Sequence, residues 1–148
     1  MKILEAAALG VPFITTTVGV EGLKFKDKES CIIADTSEDF AKGLALLMED
    51  ELLRQQLTQN ATQINIVQDL QNYINDPANT NEVIPANVGI EDPSLNNIIN
   101  QYNTLIVERK RLLRTATEDN PAVINMNSGI EAMRSNVHAT VTSVLRAL

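Results

Sequence analysis

Thr115-Ala-Thr-Glu-Asp-Asn-Pro121 interrupts the most regular stretch of the chain, residues 94–148, and its reading decides the fold. Upstream of it Leu95, Ile98, Tyr102, Leu105, Leu112 and Ala116 recur at helical spacings, with Arg109 as the one break in the apolar series. Downstream, Val123, Met126, Ile130, Met133, Val137, Val141, Val144 and Leu148 repeat the pattern. Apolar residues so spaced line one face of a helix, and two such stripes bury each other. Pro121 has no amide hydrogen and pushes Asn120 off helical angles, so the first helix is expected to end between Thr117 and Asp119. Asn120 then caps the second helix and Pro121 opens it. The prediction is an antiparallel helical hairpin or coiled coil, with helices over about 93–117 and 121–147; one long helix kinked at Pro121 is the alternative.

Working outward, the 148 residues suit one domain or two small pieces. Hydrophobic residues make up 44% but aromatics only 3%, with no Trp, so Ala, Leu, Ile and Val must build the core, a balance that favours helix packing. The net charge of −7 excludes a general nucleic-acid binder, which needs clustered Lys and Arg to neutralise phosphates. Arg109-Lys-Arg-Leu-Leu-Arg114 is the one basic run, and beside Glu108 and Glu118 it reads as a solvated face or a complement to a helix C-terminus. Cys31 is single, so no internal disulfide forms. No signal peptide or membrane span is seen: Glu5 falls where an apolar leader would run, and the sequence as written is expected to be cytoplasmic.

In chain order, residues 2–9 favour helix, with Gly10 as a left-handed cap and Pro12 beyond it. Phe13-Ile-Thr-Thr-Thr-Val18 and Cys31-Ile-Ile-Ala34 read as short strands separated by Gly19-Val-Glu-Gly22. Thr36 or Ser37 caps a helix over residues 38–49 with Phe40, Leu44, Leu47 and Met48 on one face. Asp50 restarts a helix in which Leu53, Leu57, Ala61, Ile64, Val67 and Ile74 continue to Pro77. Residues 76–92, rich in Asn and Pro, form a loop expected to dock along the helices. The fold class is therefore mainly α: a small α/β piece with two short strands and helices, then a helical hairpin.

Two resemblances lie on these residues. Lys2-Ile-Leu-Glu-Ala-Ala-Ala-Leu-Gly-Val-Pro12, Thr15-Thr-Thr-Val-Gly-Val-Glu-Gly-Leu23 and Ile33-Ala-Asp35, with the acidic helix that follows, resemble the C-terminal nucleotide-sugar half of family 4 retaining glycosyltransferases over residues 1–61. The resemblance implies that Glu5 accepts hydrogen bonds from a donor's ribose hydroxyls at a helix whose N-terminus faces the diphosphate. The family's second acid, its basic diphosphate ligands and its acceptor half have no counterpart here. The chain alone is therefore not expected to be an enzyme.

Val67-Gln-Asp-Leu-Gln-Asn-Tyr-Ile-Asn-Asp-Pro77, Ile84-Pro-Ala-Asn-Val-Gly-Ile-Glu-Asp-Pro93, Gln101-Tyr-Asn103 and Glu108-Arg-Lys-Arg-Leu-Leu-Arg114 resemble the periplasmic coiled-coil region of bacterial polysaccharide co-polymerase tyrosine kinases, the chain-length determinants of Bacteroides-like bacteria, over residues 62–148. That implies a scaffold for capsular or exopolysaccharide export, with the export machinery as partner and a periplasmic parent. The chain then reads as a splice of two parents near Gln63, a chimera or fragment. Self-association through its helices is expected, as a dimer or higher oligomer, since the stripes over residues 95–116 and 123–148 and the face of Ile64, Val67, Leu70 and Ile74 all want partners.

Other constellations read as structural. Asp35, Glu38 and Asp39, like Glu91 and Asp92, sit where acids satisfy free amides at a helix start. His138 has no Cys or His at ligand spacing, so no metal is expected, and no cofactor-binding loop or catalytic residue is identified. Met126 and Met133 belong to the hairpin's apolar face. Gly129 marks either a close helix approach or mere tolerance.

Overall fold

The computed structural model describes residues 2–85 and 89–148. They form helices α1 (Lys2–Ala8), α2 (Ser37–Glu49), α3 (Glu51–Asn75), α4 (Pro93–Leu112) and α5 (Pro121–Ala147), strands β1 (Ile14–Thr15) and β2 (Ile32–Ile33), and a 3-10 turn at Pro77–Asn79. The chain divides into two compact units, Met1–Ile66 with Leu148 and Val67–Ala147, so α3 runs through both. The mainly α class with a small α/β piece is what forms. Ala86, Asn87 and Val88, within the expected loop, lie outside the described residues.

In the first unit α1 closes as predicted. Gly10 adopts φ 66°, the Val11 amide donates to Ala6 O and the Gly10 amide to Ala7 O, so the last carbonyls of the helix are satisfied. Both strands are shorter than their β-branched stretches suggest. Each pairs over only two residues, parallel, with Ile14 opposite Ile32 and Thr15 opposite Ile33. Successive side chains of a strand point to opposite faces. Ile32 accordingly packs with Leu47 of α2 and Leu57 of α3, while Ile33 packs against the cluster of Ala7, Phe25, Cys31, Ala61 and Ile64. Phe13 and Phe25 meet edge to face, with ring centroids 5.3 Å apart.

Thr36, not Ser37, caps α2: its hydroxyl oxygen accepts from the Asp39 amide at 3.1 Å. The seam of α2 differs from expectation. Gly43 and Leu47 are buried, but Phe40, Leu44 and Met48 are 46%, 48% and 73% exposed. Gly43 carries the contact with the sheet, since a Cβ there would lie 2.9 Å from Ile32 Cγ2 and 3.4 Å from Ile14 Cδ1. The sheet thus packs on backbone at this point, and the larger apolar residues of α2 flank the seam.

Asp50 ends α2 and starts α3. Its backbone is extended, its carboxylate accepts from the Leu53 amide at 2.9 Å, and Arg54 turns back to donate to the carbonyls of Leu47 and Met48. A guanidinium on the final carbonyls of a helix also opposes the negative end of its dipole. Within α3, Leu57, Ala61, Ile64, Val67, Leu70 and Ile74 are buried, as their spacing predicts.

In the second unit α4 and α5 pair as a hairpin, and the kinked single helix is not formed. Asn120 Oδ1 accepts from the Ala122 amide at 2.9 Å, and Asn120 O accepts the first helical bond, from Ile124. The boundary of α4 is corrected, because the helix stops at Leu112 rather than near Thr117. Residues beyond it fold over in tight bonds from Arg114 N to Arg111 O and from Thr115 N to Leu112 O. Arg109 explains the early stop. Expected on a solvated face or as a dipole complement, it is 9% exposed, and its Nη2 donates to both carboxylate oxygens of Glu118 at 2.8 and 2.9 Å, while Nε donates to Asn127. Glu118 lies nine residues further on. A continuing helix would carry it ~13.5 Å along the axis and out of reach.

The buried line of α4 is Leu95, Ile99, Tyr102, Ile106 and Arg109, shifted by one residue at two places from the predicted Ile98 and Leu105, which are half-buried. In α5 it is Val123, Ile130, Val137, Val141 and Leu145, with Met126, Met133 and Val144 at its edges. The end of α3 joins this packing through Arg134, which donates to Ile74 O. The loop before α4 docks by side chains rather than by strand pairing. Asn103 accepts from the Ile84 amide and donates back to Ile84 O, both at 2.7 Å; Tyr102 donates to Thr80 O, Tyr73 to Val83 O, and Lys110 pairs with Glu82. Asp92 caps α4, accepting from the Leu95 amide at 2.8 Å.

Three substitutions test this packing by urea unfolding followed by circular dichroism. Gly43→Ala should lower the midpoint despite a helix-propensity gain of about 1 kcal/mol, because overpacking costs about 1–3 kcal/mol. Gly129→Ala, where a Cβ meets no atom within 4 Å, should raise stability by up to about 1 kcal/mol. Asn120→Ala should cost about 1 kcal/mol through the lost cap, and a raised midpoint would contradict the hairpin turn.

Candidate functional site

Glu5 is the one site residue the sequence proposes. It lies in the first turn of the seven-residue α1, with its side chain exposed and its carbonyl accepting from the Leu9 amide at 2.9 Å. The helix is fixed from behind by Thr62 of α3, whose hydroxyl donates to Ala7 O at 3.0 Å. The glycine-containing loop after β1 is equally well anchored. Thr16 Oγ1 accepts from the Gly19 amide, Val20 is buried, and a side chain at Gly19 would collide with the Thr15 hydroxyl. Glu21, between Val20 and Gly22, is exposed.

Asp35, next to β2, binds this loop. Its Oδ1 accepts from the Thr17 amide at 2.8 Å and its Oδ2 from the Thr17 hydroxyl at 2.6 Å. These bonds hold the Asp35 carboxyl below its ordinary range. Their contribution exists while the carboxylate is ionised and disappears as pH falls through its lowered pKa. Asp39 engages Thr36, and Glu38 forms an ion pair with Lys42 at 2.7 Å. The acidic cluster at the start of α2 thus resolves into separate structural bonds.

Cys31 and Tyr102 are committed to packing. Cys31 is fully buried, and burial, with the nearby Asp27 charge, pushes its thiol from 9.0 to about 11. Burial likewise raises the Tyr102 phenol, which donates to Thr80 O at 3.1 Å. His138 is exposed on α5. Among the described residues no group of three His, Cys, Asp or Glu is placed to hold a metal ion.

Open cavities lie within each unit. One of about 280 Å³ in the first unit lies beside Asp27, Lys28, Asp39, Lys42 and Gly43. Another, about 390 Å³ in the second unit, is bounded by Thr80, Asn81, Arg109, Asn127, Glu131 and Arg134. Its arginines are engaged elsewhere: Arg109 is held by Glu118, and Arg134 donates to Ile74 O. Arg109 and Asn103, which hold the turn and the loop of the second unit, read in the sequence as a break in an apolar stripe heading a basic run and as part of a resemblance, with no signal of these contacts.

Residues 1–64 match the family model for glycosyl transferases group 1. The matched stretch contains α1, both strands, α2 and the first half of α3, and it includes Glu5. Over this stretch the chain is similar to that family. The match covers 64 of the 148 residues. No curated protein and no solved structure matches the chain. None of the described helices is long and apolar enough to cross a membrane.

Two measurements probe these environments. In the native protein at pH 8 Cys31 should resist a thiol reagent and react promptly once urea is added, since the thiolate is the reactive form and burial suppresses it. Because its pKa is raised on folding, its contribution to stability is full below pH 9 and should fall as pH rises from 9 through about 11. Glu118→Ala should destabilise the second unit by about 1.5–3 kcal/mol, leaving a buried guanidinium without its charged acceptor. A double-mutant cycle with Arg109→Met should show coupling between them.

Proposed function

We propose that this chain is a non-catalytic structural piece from the machinery that builds and exports capsular or exopolysaccharide. The observation that carries the reading is the glycosyl transferases group 1 match over residues 1–64. The resemblance of residues 62–148 to the periplasmic helices of polysaccharide chain-length determinants supports the export side of it, and on this reading the two parents join near Gln63. The described side chains agree with a scaffold. Asp35, Arg109, Tyr102 and Asn103 are all engaged in holding loops to helices or turns to strands.

Self-association belongs to this reading, although the apolar surface available for it differs from the one the periodicity suggests. Val67, Leu70 and Ile74 and the central residues of the hairpin stripes are already covered within the chain. The exposed large apolar side chains lie instead on α2, at Phe40, Leu44, Leu46 and Met48, at Leu52 in the first turn of α3, at Leu9, Val11 and Val18 in the first unit, and at Val83, Val107 and Ile124 in the second. The alternative, a remnant that still binds a nucleotide-sugar, draws on the same family match and on the exposed position of Glu5.

Calorimetric titration with uridine and guanosine diphosphates, beside light scattering, tests both readings. The scaffold predicts no saturable binding and a mass at least twice 16.3 kDa. Saturable binding that weakens in Glu5→Ala would replace it with the nucleotide-sugar reading. A persistent monomer at high concentration would remove self-association.

A further inference from the structure

We draw no further inference here: the strongest candidate, the exposed apolar strip of Phe40, Leu44 and Met48 on α2, carries nothing because nothing in the structure shows what covers it, its acidic flanks Glu38, Asp39 and Glu49 opposing an antiparallel copy of itself and the Arg111 and Arg114 end of the hairpin being balanced by Glu108 and Asp119.

Discussion

The second unit depends on a buried guanidinium. Arg109 occupies a position in α4 where the apolar line would place a leucine, and a charge there is tolerable only if it is paired and hydrogen-bonded. Glu118 and Asn127 meet that requirement from the turn and from the next helix. The constraint acts on the backbone as much as on the side chains. Glu118 must come back over the end of α4, so the helix stops at Leu112, the chain folds over, and Asn120 and Pro121 open α5 close beside it. With the turn in place, the apolar faces of α4 and α5 are brought together, and the loop before α4 is held against Tyr102 and Asn103.

In the first unit, close approach of backbone has the corresponding role. A two-stranded parallel sheet is a marginal object in isolation, and here it is supported on both faces. Gly43 lets α2 lie on Ile32 and Ile14, while Ile33 faces the cluster beneath α1 and α3. The ends of the strands are bound by polar bonds, Asp35 holding Thr17 and Asp27 accepting from the Ile33 amide. The helix that contains Glu5 and the glycine loop are each anchored by hydrogen bonds, the one through Thr62 and the other through Thr16 and Asp35. The match to the glycosyl transferases group 1 model rests on this stretch of sequence.

Much of this was readable residue by residue. Gly10 with Pro12, Asp92 before Pro93 and Asn120 before Pro121 act on their own neighbours, through backbone angles and single hydrogen bonds, so each gives the same answer in isolation and in the fold. The α3 stripe was equally legible because one period runs unbroken over its length. Other features escaped because they depend on residues far away in the chain. Whether Phe40 or Gly43 faces the sheet depends on how near α2 comes to Ile32, and a periodic pattern ranks the bulky apolar residue first. The strands shrank to two residues apiece because β-branched composition marks a preference, whereas pairing needs a partner in register.

The sequence by itself determined the helix starts, the hairpin turn, the mainly α class and the similarity of the first part to glycosyl transferases group 1, since those follow from short-range stereochemistry and from a contiguous motif. Tertiary structure alone decided where α4 ends, which side of it is buried, and what Arg109 and Asn103 do. A buried charge and an amide that pairs with a loop backbone have no local signature. Their meaning is set by Glu118, Asn127 and Ile84, which come within reach only when the chain has folded.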